Sequence, residues 1–396
     1  MSQFQTIDLA DFYDAGTFSK IKEFSADKET PFVVIDTAII EQAWEQMARH
    51  FPYADIYYAV KANPAPEILA LLADRGANFD IASVYELDHI MALGVPPERL
   101  SYGNTIKKRR HVRTFFERGV RMFATDSEDD LRMLAEEAPG SRVYVRILTE
   151  GTETADWPLS RKFGCQNEMA YDLLILAAEL GLEPYGISFH VGSQQRDIGA
   201  WDSAIGKVKV IYQRLLAEHD IELQMINLGG GFPAKYIDPA NELAVYAEEI
   251  THFLKEDFGE NLPRIILEPG RSLISNAGVL VSEVVLISRK SYTALERWVY
   301  TDVGKFSGLI ETMDEAIKFP IYTERRGELE KCVIAGPTCD SADIMYEQYN
   351  YGLPEDLAIG DRLYWLTTGA YTTTYSAIRF NGFPPLKEYL INTKAG

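Results

Sequence analysis

Between residues 55 and 268 the chain changes eight times from a short β-branched or aromatic run to a segment with helical apolar spacing. Strands are expected at 55–61, 78–83, 99–104, 121–126, 142–148, 185–191, 224–229 and 264–268. Intervening stretches such as "PAPEILALLADRG", "SEDDLRMLAEEA" and "EMAYDLLILAAELGL" read as helices, and several stop at glycine, which suits the left-handed turn after a helix. Parallel strands need crossovers, and strand and helix alternating eight times over such a length is the pattern of a (β/α)8 TIM-like barrel. A doubly wound open sheet is the competitor. It would carry a GxGxxG turn after an early strand, and no such turn is present.

The pattern differs on either side. "PFVVID" (31–36) reads as an isolated strand, and beyond Arg271 the text becomes strand-rich: "GVLVSEVVLISRKSY", "RWVYTDVG", "KCVIAGPTCD" and "DRLYWLTTGAYTTTY". Two domains are therefore expected, a barrel over 37–270 and a mainly β domain built from 1–36 plus 271–396. With 396 residues, 46% of them hydrophobic, the chain can fill both cores.

Charge and cysteine usage exclude several functions. Lys plus Arg number 39 against 59 Asp plus Glu, a net charge of −20, so nucleic acid is not an expected partner. The basic run Lys107-Lys108-Arg109-Arg110 opens a helical segment ending at Gly119 and reads as a solvated face. Cys165, Cys332 and Cys339 show neither paired nor CxxC spacing, so no disulfide framework and no metal site are expected, and a reducing cytoplasm fits. The acidic start, "MSQFQTIDLADFYDAG", has no apolar signal region, and no membrane span is expected.

Barrel chemistry gathers at the C-terminal ends of the strands. In order these offer Lys61, Asp80, Asn104, Asp126, Arg146, His190, Gly229-Gly230-Gly231 and Glu268. Lys61 closes an apolar run, where an ammonium either snorkels to water, finds an anion, or serves as a nucleophilic amine for a carbonyl compound. The loops after strands 7 and 8, "LGGGFP" and "EPGRSL", stand where barrels hold phosphate: three glycines let backbone N–H groups approach an anion, and Gly270-Arg271 adds an amide and a cation. A glycine run alone is equally a plain turn. An amine and a phosphate cradle together suit pyridoxal phosphate, or a phosphosugar aldolase. Glu268 discriminates, because a carboxylate against the pyridine nitrogen makes that ring an electron sink. His190 either stacks on the ring, with Ser193 reaching the phosphate, or is a buried core histidine.

The motifs "YAVKAN", "FDIASVYEL", "SFHVGSQ", "LGGGFP", "EPGR", "GPTCDSADIMYE" and "GAYT", in that order, resemble the fold-type III pyridoxal phosphate decarboxylases, specifically the ornithine decarboxylase branch and its bacterial ornithine/lysine relatives. The resemblance spans nearly the whole chain. "GPTCDSADIMYE" separates this branch from alanine racemases, which also lack the glutamate partner of the ring nitrogen.

The resemblance implies that Lys61 takes the cofactor's aldehyde, Glu268 partners the ring nitrogen and His190 stacks on the ring. It places Ser193, Gly230, Gly231, Gly270, Arg271 and Tyr371 at the phosphate, with Asp80 also among the cofactor-binding groups. It makes Cys339 the proton donor to Cα and Asp340 the acceptor of a substrate's distal ammonium. Both would come from the other subunit of a head-to-tail homodimer with composite sites. The implied reaction is decarboxylation of L-ornithine to putrescine, L-lysine to cadaverine, or both. Alternatives are a decarboxylase for diaminopimelate, arginine or carboxynorspermidine, and a non-catalytic regulatory homologue. The chain departs from the family twice. Pro158 stands where eukaryotic relatives carry an arginine before "KFG", leaving Arg161 only a loop contact. "DVGKFSGLIETMDEA" (302–316) replaces a tyrosine-bearing stretch, leaving Glu311 or Asp314 as the second acid for the substrate amine.

Overall fold

The computed structural model describes residue 4 and residues 7–150, 154–158 and 161–393. They fall into two compact units, one drawn from Glu41–Pro233 and Asn241–Ser272, the other from Met1–Ile40, Ala234–Ala240 and Leu273–Gly396.

The first unit is a closed barrel of eight parallel strands. These are β1 (Ala54–Ala59), β2 (Asn78–Ile81), β3 (Leu100–Tyr102), β4 (Met122–Thr125), β5 (Arg142–Arg146), β6 (Glu183–Ser188), β7 (Met225–Asn227) and β8 (Arg264–Leu267). Each matches one expected strand, and β8 pairs with β1 to close the cylinder. The ladders end earlier than the apolar runs because the last residues of each run bend into the rim. After β1, for example, Val60–Ala62 form a 3-10 turn.

Tyr57, Met122, Ala124, Tyr144, Tyr185, Met225 and Ile266 fill the interior from six of the strands. Such packing makes a core rather than a pore. At the N-terminal end of β8, Arg264 donates to Asp55 at 2.7 Å and to the hydroxyls of Tyr57 and Tyr185, each at 3.1 Å. Helical crossovers pack outside. In the helix Gly199–His219 the buried residues Trp201, Ala204, Ile205, Val208, Ile211 and Leu215 recur at three- and four-residue spacing, which sets its inward stripe.

One expectation is overturned. The basic run is not simply a solvated face, because Lys107 buries its side chain completely and donates to Asp130 at 2.7 Å, Ala124 O at 2.7 Å and Asn104 O at 3.1 Å. Its three protons meet three acceptors, which makes the burial tolerable. Arg109 and Arg113 are exposed but bonded to Glu137. Only Lys108 and Arg110 match the solvated reading, both being exposed.

The second unit is mainly β. Its long strand Gly278–Ser288 pairs antiparallel with Phe32–Asp36, Arg297–Thr301 and Arg362–Leu366. Leu329–Ala335 runs parallel to Arg297–Thr301 and antiparallel to Ile344–Tyr346. The helix Ala15–Ser25, capped by Asp14, sets Phe18 and Ile21 against Phe32, Val34, Val279, Val281, Tyr364 and Leu366. Among the described residues, no helix is long and apolar enough to cross a membrane.

Candidate active site

The rim of the barrel collects charges of both signs. Lys61 lies in the turn after β1, Asp80 in β2, Arg146 at the end of β5, His190 two residues beyond β6 and Glu268 directly after β8. Burial pushes the Asp80 carboxyl well above the usual carboxylate range, Glu268 and Glu86 push the same way, and the Lys61 and Arg146 cations oppose them. Burial also draws Arg146 down, against Glu268, Asp80 and Asp126, which hold its charge. The His190 ring is driven well below its ordinary value by burial first and then by Arg146 and Lys61. Its Nδ1 accepts the Gly192 N–H at 3.0 Å, so the proton of the neutral ring sits on Nε2.

Local sequence explains this placement. Ser83 caps the helix Val84–Ala92 by accepting from Glu86 N at 3.3 Å, while Glu86 turns back to accept from Ala82 N at 2.6 Å. That exchange resembles a capping box and holds Glu86 near Lys61; burial still raises the Glu86 pKa, against the Ala82 N–H and then Lys61 and His89. Asp80 needs Gly103: a Cβ there would lie 1.9 Å from Asp80 Oδ1. That oxygen is buried and has no hydrogen-bond partner among the described residues. A buried polar atom in that state is one that a ligand can satisfy.

The loops after β6, β7 and β8 make an anion cradle. A Cβ on Gly230 would lie 2.7 Å from Glu268 O and 3.3 Å from His190 Nε2, so any side chain there would fill the space beside the histidine. Gly231, at φ +102°, has Gly192 O where its Cβ would be, at 2.6 Å. Buried Arg271, which follows Gly270, donates through Nε to Ser193 Oγ at 3.1 Å. Ser193 is itself fixed by a two-stranded pairing of Ser193–Gln195 with Ala155–Trp157, in which it faces Trp157. Asn227, the last residue of β7, donates to Glu268 Oε1 at 2.5 Å.

The barrel unit thus brings together Lys61, Asp80, His190, Ser193, Gly230, Gly231, Glu268, Gly270 and Arg271 on its strand ends and rim loops. These residues fit pyridoxal phosphate: an amine for its aldehyde, a held carboxylate for its nitrogen, a neutral flat ring, and glycines with a cation and a hydroxyl for its phosphate. Sequence reasoning does not single out Asn227, Glu86 or Gly103, and it gives Arg146 as a strand end without a role. A polar residue closing an apolar strand and the Ser83–Glu86 spacing were the available signals. Gly103 left none, because its neighbour is remote in sequence.

The β unit carries the other candidates. Cys339 and Asp340 are exposed on the loop between Leu329–Ala335 and Ile344–Tyr346. Buried Asp343 organises that loop, accepting Lys305 N at 2.8 Å, Thr338 N at 3.1 Å and Thr338 Oγ1 at 2.7 Å. Cys339 N donates to Asn381 Oδ1 at 2.9 Å, and Asp340 Oδ1 accepts Ala342 N at 2.9 Å. Tyr371 adopts a left-handed φ of +57°, a strained state for a tyrosine that collects at functional sites. Glu311 is buried and Asp314 exposed, and Arg161 is exposed. Among the described residues, no cluster of His, Cys, Asp or Glu is arranged to hold a metal.

Comparisons with known proteins agree with this chemistry. The pyridoxal-binding domain of the pyridoxal-dependent decarboxylases matches residues 37–275. A lysine/ornithine decarboxylase of Selenomonas ruminantium is 33% identical over 368 residues, covering 92% of this chain and 90% of the relative. The crystal structure of SrLDC in complex with PLP and cadaverine superposes with a TM-score of 0.85 at 30% identity, covering 100% of this chain and 96% of that one. The arginine decarboxylase of Paramecium bursaria Chlorella virus gives a TM-score of 0.85 at 28% identity, covering 95% of this chain and 100% of that one. The chain therefore belongs to the pyridoxal-dependent decarboxylases, enzymes that carry pyridoxal phosphate.

Proposed function

We propose that the protein decarboxylates a basic diamino acid, L-ornithine to putrescine, L-lysine to cadaverine, or both. The observation that carries this reading is the loop 336–343, which presents a thiol and a carboxylate side by side at the surface, held from behind by buried Asp343. A carboxylate suits a substrate whose far end is a cation, as ornithine and lysine have.

When bound, the cofactor supplies an electron sink for the pair left on Cα as carbon dioxide departs. Lys61 would take its aldehyde, Glu268 would partner the ring nitrogen, and neutral His190 would lie on the ring without adding charge. Ser193, Gly230, Gly231, Gly270, Arg271 and Tyr371 would hold the phosphate, with Asp80 among the cofactor-binding groups. Asp340 anchors the distal ammonium, which orients the scissile carboxylate, and Cys339 returns a proton to Cα. Glu311 or Asp314 adds the second acid.

The barrel over 37–270 and the β domain of 1–36 plus 271–396 would build this site from two copies in a homodimer. Along the sequence around Asn381, which pins Cys339, the chain exposes Tyr375, Ile378, Phe380 and Phe383, apolar surface that supports the two-copy reading. Three free cysteines favour the reducing cytoplasm.

Carbon dioxide release from ornithine, lysine, arginine and diaminopimelate, assayed side by side with purified protein and cofactor, tests the reaction. Release from ornithine or lysine is expected; release from neither would end the proposal. Asp340→Ala should raise KM for the diamino acid, since losing the partner of a desolvated charge costs about 2–5 kcal/mol.

A further inference from the structure

A closed circuit of hydrogen bonds links the glycine cradle to the carboxylate. Asn227 Oδ1 accepts the Gly229 N–H at 2.9 Å, Gly229 O accepts the Glu268 N–H at 2.8 Å, and Glu268 Oε1 accepts from Asn227 Nδ2 at 2.5 Å. The backbone donor at Gly229 fixes which end of the amide is which: the oxygen faces the loop, so the nitrogen faces the acid. Asn227 is 1% exposed, so water is not at hand to replace either bond. The circuit joins the two regions that must bind opposite ends of one rigid cofactor.

We propose that Asn227 is a positioning residue that locks the Glu268 carboxylate in register with the glycine cradle, committing Oε1 to the amide and leaving Oε2 for the ring nitrogen. This rests on the role given to Glu268 above. A glutamate rotates about three single bonds, and its grip on a ring nitrogen depends on suppressing that freedom. The amide does so without adding charge. An aspartate would fill the same space but turn a donor into an acceptor, placing two carboxylates in contact unless they share a proton. The titratable groups around them are Asp80 from β2, Tyr144 and Arg146 from β5, and Lys61 and His190, which interact within the same cluster.

The test uses cofactor-loaded protein with Asn227→Asp, Asn227→Ser, Glu268→Gln and the double Asn227→Asp, Glu268→Gln. Cofactor dissociation constants, visible absorption against pH, and kcat and KM are measured. Asn227→Asp should weaken cofactor binding by about tenfold or more at pH 8, the loss expected of a buried group left unpaired. Binding should recover on acidification as the pair takes up one proton. Asn227→Ser should show a similar loss without the added pH dependence. In the double variant the amide introduced at position 268 can donate to the carboxylate introduced at position 227, so affinity should return towards that of Glu268→Gln while kcat does not. Affinity within about twofold of wild type at every pH for Asn227→Asp, or for Asn227→Ser should the aspartate variant not fold, overturns the proposal. Full kcat in Glu268→Gln would instead sink the assignment of the ring-nitrogen partner, whatever the Asn227 variants do.

Discussion

At the scale of single residues, the site depends on groups kept in costly states by their neighbours. Gly103 is the sharpest case, because a methyl group there would lie 1.9 Å from the Asp80 carboxylate. Gly103→Ala should lower unfolding stability by about 1–3 kcal/mol, the usual price of overpacking, and weaken cofactor binding as Asp80 is displaced. Denaturant unfolding and cofactor titration check it, and adding Asp80→Gly should recover part of the stability loss if the two residues clash. His190 gives a pH prediction. Its native pKa lies well below the ordinary value, so the unfolded chain binds a proton that the native ring refuses. Above about pH 6.5 both states are neutral and pH has no effect through this group; below it, acidification destabilises the fold. His190→Gln should therefore flatten the fall of Tm between about pH 6.5 and 5, and an unchanged slope would mean that the native ring does take the proton.

At the scale of elements, the clamp between Lys107 and Asp130 ties the chain ahead of the helix Arg109–Glu117 to the helix Glu128–Glu137. Burial lowers the lysine pKa and raises the aspartate pKa, each against the pull of its partner, so desolvation outweighs attraction at both. Lys107→Met should then cost about 3–5 kcal/mol by stranding Asp130, and Lys107→Met with Asp130→Leu should cost clearly less. Equal losses in chemical unfolding would refute the clamp. Lys107 also shows where sequence reading fails. The eight strands were legible because β-branched runs, helical spacing and terminal glycines agree locally. Lys107, the first of four basic residues in a row, looks like its neighbours until Asp130, 23 residues on, accepts one of its protons. The rim lysine, glutamate and glycines were legible because barrels put chemistry at strand ends. The hold of Asn227 on Glu268 crosses 41 residues and no spacing rule encodes it. Residues 234–240 sit with the β unit although they fall inside the stretch read as barrel, an excursion without a compositional mark.

At the scale of the whole molecule, composite sites shared between two chains would make activity a property of the assembly. Lys61 and Glu268 belong to the barrel unit, and Cys339 and Asp340 to the β unit. If each site draws its barrel from one copy and its thiol from the other, Lys61→Ala and Cys339→Ala homodimers are both defective at every site. Random reassortment of the two would make half the dimers mixed, and each mixed dimer would hold one site with both wild-type groups. Mixing the variants after reversible dissociation should thus restore roughly a quarter of wild-type activity. Sites built within one chain would give no gain, because each chain would still carry its own defect. The same geometry predicts that specific activity falls on dilution through the dimer dissociation constant, while cofactor bound by the barrel unit alone is lost less steeply. Analytical ultracentrifugation beside the activity curve separates the two: activity that outlasts the dimer would place the whole reaction inside one chain.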